Sequence, residues 1–503
     1  MTGWPEMLAT ALVGTDRRST SAAATGTDPA RDLLEQAAAC SVYRRAGVRP
    51  VRGLTAPESA PVETTPTVSE AAAATLADLL VNTEFAVTEY RGGFVAEWLT
   101  LAVARNRRIP PELLPALLDA GRRRTELRPL IVAAGGLRTG WLAAQNPEWT
   151  YLTAEVAESM ADPVFWHEGT KDQRAGYLTD ARRADPVAAR DLLAADWPTL
   201  PPDERAQLLA ILATGLGPDD EEFLEHALGD RRKEVRDAAV VLLAKLPGSA
   251  FNARMADRAH ACLRVRGGRI SVEPPTECDN GMRRDGILPK THSGKGERAF
   301  WLEQILAGTP LSTLTSIAPA DYLTLSIEEG WDTPVLHGLA QAAAAQRDPA
   351  WAAALLDVLE PQKLSSRRWI VEDLYPALDP DELVRRSIVG LRDPEAGLGR
   401  FLERLLEQCP APWPDGLVAA ALDGIPVHAR HKRMPYDIYA VCRLAGMRMP
   451  ADRASEAARI VEQFRRRRST KHFRTEHPDH GRVDAFEHLA RTLDFRHQMI
   501  QEI

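Results

Sequence analysis

Aromatic residues make up only 6% of the 503-residue chain, and cysteine occurs five times. The cysteines, at positions 40, 262, 278, 409 and 442, are odd in number, scattered, and never arranged as CxxC. That excludes a disulfide framework and a zinc knuckle, and the usage fits a reducing cytoplasm. No apolar run reaches the ~18 residues that a membrane span needs. The opening MTGWPEMLATALVGTDRR lacks a basic flank, and its short apolar stretch ends at Asp16-Arg17-Arg18, so it does not read as a signal peptide. A cytoplasmic location is the expectation. Positive charge is not in excess either: the net charge is −8 and the pI near 5.9, against general salt-driven nucleic-acid binding. Lysine supplies eight of the 62 basic residues, a skew toward arginine that fits GC-rich codon usage and carries no functional weight. Alternating strand patterns are nearly missing as well.

What is present is helical periodicity. Residues 29–46 place Leu33, Leu34, Ala37, Ala38, Val42 and Tyr43 close to one stripe. Residues 47–68 hold four prolines and read as a linker or surface loop. Ser69 then offers an N-cap to EAAAATLADLL. Further helices are expected near 93–106, 111–121, 125–134, 171–183, 186–195, 202–215, 219–228, 232–246 and 249–264. Asp185-Pro186, Asp348-Pro349 and Asp393-Pro394 share one start signal, since Asp accepts a first-turn amide and Pro loses no bond at the first helical position. Residues 265–298, rich in Gly and Pro, break the pattern, and Arg269–Val272 reads as a short strand in a small hairpin. An irregular stretch of that length inside helical surroundings is a functional or mobile element.

The segment DDEEFLEHALGDRRKEVRDAAVVLLAKL, residues 219–246, reads as a short helix, a polar turn and a longer helix. Val235, Ala239, Leu242 and Leu246 then form one buried stripe. Asp230, five residues before Val235-Arg236, stands where a HEAT repeat places its turn aspartate, and the unit resembles such a repeat. The stretches LATALVGTDRR (8–18), YRRAG (43–47), WLAAQNPEW (141–149), 223–249 and GERAFWLEQIL (296–306) together resemble an uncharacterised bacterial family described only as a domain of unknown function. The resemblance implies a HEAT-like helical body and supplies no catalytic residue. It also implies an assembly partner, an AAA+ ATPase of the MoxR type or a von Willebrand factor A (VWA) domain protein.

Candidate chemistry is thin. THSGKGE at 291–297 imitates a phosphate loop, but Pro289 stands where the first Gly belongs and Gly296 where Ser or Thr would reach magnesium, so the segment reads as a Gly-rich turn. His472, His477 and His480, with Glu476, Asp479 and the later His488, have metal-ligand chemistry without a metal-ligand spacing, as do His428 and His431. Arg465, Arg466, Arg467 and Arg468, followed by Lys471 and Arg474, form the sharpest basic cluster and the candidate phosphate-contacting surface. Arg231, Arg232, Lys233 and Arg236 sit at a helix N-terminus, where cations oppose the macrodipole. They read either as a ladder of Arg–Asp bonds or as a partner-binding rim. Trp141, Trp149, Trp166 and Trp301 read as core anchors.

The expectation is an all-α protein, a HEAT-like superhelix of helical hairpins with one irregular, strand-containing insertion. Its parts run 1–47 (helices), 48–68 (Pro-rich linker), 69–264 (HEAT-like region), 265–298 (insertion) and 299–503 (C-terminal helices). Its expected role is a non-catalytic scaffold or adaptor for protein partners, with no cofactor or metal, using Arg231, Arg232, Lys233 and Arg236. The alternative is a nucleic-acid binder using Arg465–Arg468 and Lys471. An enzyme would place its site near 265–298.

Overall fold

The computed structural model describes residues 4–17, 28–46, 58–81, 91–152, 163–291, 296–359, 368–393, 402–430, 437–470 and 479–503. Contacts divide the chain into two units, 1–60 and 61–503. The first contains α1 (Trp4–Val13) and α2 (Pro29–Ala46), with Met7, Thr10 and Leu33 buried.

The second unit opens on a helix-free stretch, 61–69. There Val68 donates to the Arg108 carbonyl at 3.0 Å and Arg108 to that of Pro66 at 2.9 Å. Ser69 caps α3 (Glu70–Val81) as expected, accepting the Ala72 amide at 3.0 Å. With α4 (Arg91–Ala104), α5 (Leu114–Arg123), α6 (Arg128–Gly135) and α7 (Leu137–Gln145), it encloses a core of Leu76, Trp98, Leu99, Leu114, Leu117 and Ile131, all fully buried. The linker takes part in this packing: the Glu63 carboxylate accepts the first-turn amide of Arg138 in α7 at 2.8 Å. Gly136 makes that approach possible, with φ of +68° and no Cβ, which would stand 2.7 Å from either Glu63 oxygen.

Helix pairs follow: α8 (Val164–His167), α9 (Lys171–Ala184), α10 (Pro186–Asp196), α11 (Arg205–Ile211), α12 (Glu221–Ala227), α13 (Lys233–Ala244) and α14 (Ala250–Cys262). Asp185 caps α10 through the Ala188 amide at 3.0 Å, and Ser249 caps α14 through the Asn252 amide at 3.2 Å. Val235, Ala239, Leu242 and Leu246 are all buried, as the periodicity of α13 predicts. Burying each Val or Leu contributes about 1.5–3 kcal/mol.

Next come β1 (Leu263–Arg266), β2 (Arg269–Val272), α15 (Asn280–Arg284), α16 (Glu297–Ala307), α17 (Leu311–Leu314), α18 (Pro319–Tyr322) and β3 (Ser326–Ile327). After them run α19 (Asp332–Gln346), α20 (Pro349–Leu359), α21 (Arg368–Leu374), α22 (Pro380–Arg392), α23 (Leu402–Gln408) and α24 (Asp415–Arg430). The last three are α25 (Asp437–Arg448), α26 (Ala454–Thr470) and α27 (Asp479–Glu502). Asp348 caps α20, accepting the Ala350 and Trp351 amides at 3.0 Å each; Asp393-Pro394 runs beyond the described residues.

Many helices pack on helices beyond the next in sequence: α9 on α10 and α11, α13 on α12 and α11, α16 on α14 and α19, α22 on α24, α25 on α23 and α27. That is the contact pattern of stacked hairpins, and one apolar core runs from Trp166 to Leu493. The fold is all-α and repeat-like, apart from one small sheet. In it β1 and β2 form an antiparallel hairpin turned by Gly267-Gly268, both at positive φ, and β2 pairs in parallel with β3. The insertion is thus pinned from outside itself, at Ser326 and Ile327.

Arginines bridge successive pairs. Arg182 in α9 is completely buried, and its guanidinium faces both oxygens of Asp220, at 3.0 and 2.9 Å, 38 residues along the chain. The remaining donor capacity goes to the carbonyls of Thr214 (2.8 Å), Leu212 (2.9 Å) and Pro186 (2.5 Å). Arg174 with Glu204, Arg205 with Asp230 and Arg386 with Asp357 repeat the device between other helices. Replacing Arg182 with Met should cost about 3–5 kcal/mol, because Asp220 stays buried without its counter-charge. The double variant Arg182→Met/Asp220→Asn should recover part of that loss. Chemical denaturation of the two single variants and the double completes the cycle, and additive losses would show that the pair does not act as a unit.

Candidate docking groove

The structure separates the two basic clusters by what holds them. Arg236 donates through Nη1 to the carbonyls of Asp230 (2.8 Å) and Arg231 (3.0 Å), so it closes the turn before α13. Asp230 accepts the Arg232 amide at 2.8 Å with one oxygen and meets Arg205 at 3.2 Å with the other. Lys233 lies 3.7 Å from Asp237, one turn on. The Arg231 and Arg232 side chains are exposed and make no ion pair among the described residues. Arg236 and Asp230 therefore build the turn, and Arg231 and Arg232 are what that turn presents.

In α26, Arg465 pairs with Glu487 at 2.5 Å and Arg466 with Glu462 at 2.8 Å. The side chains of Arg467 and Arg468, and all of Lys471 and Arg474, lie outside the described residues, as do His431, His472, Glu476, His477 and the side chain of His480. Residues 292–295 of the Gly-rich turn lie outside them too. Among the described residues no group of three or more His, Cys, Asp or Glu side chains is arranged to hold a metal. Trp166 and Trp301 are buried, their indoles donating to Asp196 (2.5 Å) and to the Pro289 carbonyl (3.0 Å).

A groove that sequence reasoning did not reach lies at the far end of α13. Its wider lobe, about 900 Å³, is lined by Lys245, Ser249, Thr313, Arg347 and Asp348. A narrower apolar lobe of about 270 Å³ is lined by Val240, Val241, Phe251, Met255 and Ile287. Ala244, Lys245, Ala345 and Gln346 border both, so the two lobes are adjacent. Two glycines shape the floor. A Cβ on Gly286, at φ +85°, would meet Val240 at 2.8 Å, and one on Gly308 would meet Met255 at 2.5 Å.

The groove's walls are held by side-chain amides that imitate backbone. Gln304 accepts the Leu288 amide at 2.9 Å and donates to the Leu288 carbonyl at 3.3 Å. Gln346 accepts the Leu311 amide at 3.0 Å and donates to the Thr309 carbonyl at 2.8 Å. Each ties the last turn of a long helix to a loop, and their spacing carries no periodic signal that a sequence reading could use. Lys245 and Arg347 are exposed and have no ion-pair partner among the described residues, whereas the Asp348 carboxylate is committed to the first amides of α20. The groove is accordingly apolar at its floor and positive at its rim.

Chemistry finds little purchase nearby. Burial alone would raise the Asp285 carboxyl, but hydrogen bonds from Arg254 and Arg258, at 2.7 Å each, outweigh it and hold the group below its ordinary value. Asp285 thereby fastens the insertion to α14. Burial pushes the Cys262 thiol up to about 11 and raises those of Cys278, Cys409 and Cys442, which suppresses their thiolates. Among the described residues no helix is long and apolar enough to cross a membrane.

A family of unknown function, DUF5691, matches residues 6–503. The chain belongs to that family. No curated protein matches it. The family assignment spans both units, so the groove and the first hairpin fall within one family sequence.

His488, in α27, stacks on Tyr439 with centroids 5.3 Å apart. Burial first, then the charges of Arg491 and Arg443, lower its pKa below the ordinary 6.5. The unfolded chain takes up this proton more readily than the folded one, so stability is lost as pH falls below about 6.5. Thermal melts between pH 7.5 and 5 should show a falling Tm whose slope His488→Gln reduces; an unchanged slope would remove His488 as its source.

Proposed function

We propose that the protein is a non-catalytic helical scaffold or adaptor, a HEAT-like solenoid that binds a protein partner along the groove between α13, α16 and α19. The observation that carries this reading is the pair of adjacent lobes, one of them apolar, with two cations at their edge, Lys245 and Arg347, that have no ion-pair partner among the described residues. Such a surface suits a segment that offers apolar side chains beside acidic ones. Arg231 and Arg232 add a second basic edge at the other end of α13, roughly 18 Å away at 1.5 Å per residue. The chain's acidic balance leaves these positive edges as local features, which favours recognition of an acidic surface over general polyanion binding. An AAA+ ATPase of the MoxR type, or a VWA-domain protein assembled with it, is the partner class to test first, and the cytoplasm is the compartment to look in.

The nucleic-acid alternative is weakened by the pairing of Arg465 and Arg466 with glutamates and keeps a place only as an outcome of the test. Tagged protein immobilised from nuclease-treated native extract should retain a protein partner. Lys245→Glu/Arg347→Glu should lower the recovered amount at least tenfold, about 1.4 kcal/mol, without lowering Tm, since both side chains are exposed. Arg231→Ala/Arg232→Ala should weaken capture to a lesser degree. Equal recovery by the charge-reversed protein would overturn the groove assignment, and recovery abolished by nuclease would move the function to nucleic acid.

A further inference from the structure

The face of the first hairpin is apolar where it meets solvent. In α1, Trp4, Leu8 and Leu12 recur at i, i+4 and i+8 and are 44%, 52% and 80% exposed. In α2, Leu34, Ala38 and Val42 recur at the same spacing, with Leu34 70% and Val42 67% exposed. A helix that packs on a core turns such a stripe inward. Here Met7, Thr10 and Leu33 are buried instead, and the two longer stripes lie outside that seam. Together these residues leave roughly 600 Å² of exposed surface, at the upper end of the ~300–600 Å² of the largest patch on a typical monomer. It approaches the ~800 Å² per partner that a stable protein interface buries.

Charge decides what this face fits. Glu6 is the only charged residue in α1, which contains neither Lys nor Arg. Arg31 of α2 is paired with Glu35 at 3.1 Å, and Arg44 and Arg45 fall at that helix's end, where the dipole favours cations. A helix that lies on anionic lipid carries a basic polar face beside its apolar one, and α1 has none. A strongly charged partner would find no counter-charge on it. An uncharged apolar face is complementary to itself, and a two-helix hairpin closes a core when a second hairpin covers it as a four-helix bundle.

We infer that helices α1 and α2 form a self-association element: these helices of two copies pack face to face about a two-fold axis. The interface is isologous, so Leu8 and Leu12 of α1, with Leu34 and Val42 of α2, are buried on both copies at once. The consequence for the docking groove is bivalency, with two grooves per assembly.

Multi-angle light scattering and sedimentation equilibrium of the full chain across the micromolar range test this directly. The wild type should run at twice the monomer mass of 55.3 kDa. Leu8→Asp/Leu12→Asp in α1, and separately Leu34→Asp/Val42→Asp in α2, should each raise the dissociation constant at least a hundredfold. Because the four side chains are exposed, the main unfolding transition and the helical signal should stay unchanged. A wild type that is monomeric throughout the range would overturn the inference, as would a dimer that neither variant weakens. Flotation of the wild type with phosphatidylcholine vesicles, lost in both variants, would assign the face to lipid and overturn it as well.

Discussion

A helical hairpin cannot cover its own core, and the buried arginines show how this fold meets that constraint. Arg182 reaches from α9 to Asp220 and to three carbonyls, so that one guanidinium satisfies groups from several consecutive segments. Two of these carbonyls, of Leu212 and Thr214, lie just past the C-terminal end of α11, where intrahelical partners run out, and the third, of Pro186, belongs to the first turn of α10. Apolar contact can hold two hairpins together at many rotations; a guanidinium with fixed donor directions selects one of them. Arg174, Arg205, Arg254 and Arg386 do similar work with acidic partners about one helix pair away, 25 to 31 residues along the chain. The large arginine content of an acidic protein is, in part, this internal scaffolding.

A second use of the same chemistry joins distant parts of the second unit. Arg496 of α27 meets Glu97 of α4 at 2.7 Å and also donates to the carbonyls of Gly446 and Met449. Phe495 packs edge-on against Phe94, Met499 enters the core built around Trp98, and Ser69 and Thr75 both donate to Glu502. Helices α3 and α4 are thus completed by a helix about 400 residues later in sequence. Contacts of such separation carry a large loop-closure entropy, which slows the folding of chains that depend on them. They also place α27 in two cores at once, with Leu493 in one and Met499 in the other. Among the described residues, the stripes on α1 and α2 and the small lobe beside Lys245 are apolar surfaces that these contacts leave uncovered.

Local physics made much of the fold legible. Ser69, Asp185 and Asp348 announced their helices because an N-cap acts within three residues. The stripe of Val235, Ala239, Leu242 and Leu246 identified its buried face because helical periodicity depends only on neighbours in sequence. The strand at Arg269–Val272 was legible as a break in the helical pattern, and the structure adds the two glycines before it, which turn the hairpin at positive φ. Of the four tryptophans read as anchors, Trp166 and Trp301 are buried, whereas Trp141 and Trp149 are only half-buried. At the basic turn the residues were legible and their roles were not: Arg236 differs from Arg231 only in that two carbonyls lie within reach of it.

What the sequence by itself determined is many of the helices up to residue 264, several of their caps and the buried face of α13, since each depends on interactions spanning a few residues; on α2 the apolar stripe was legible but Leu34 and Val42 are exposed. What only the tertiary structure decided is which helix completes which core and where a surface remains unsatisfied. β3 is two residues long and exists because β2 lies beside it. Arg182 and Arg496 look like any other arginine until the fold brings carboxylates and carbonyls from elsewhere around them. The groove needs Gly286 under Val240 and Gly308 under Met255, approaches that no local pattern encodes. Short-range order is written in the order of residues. The partner of a buried charge is written in geometry, because electrostatics and packing act through space and take no account of separation along the chain.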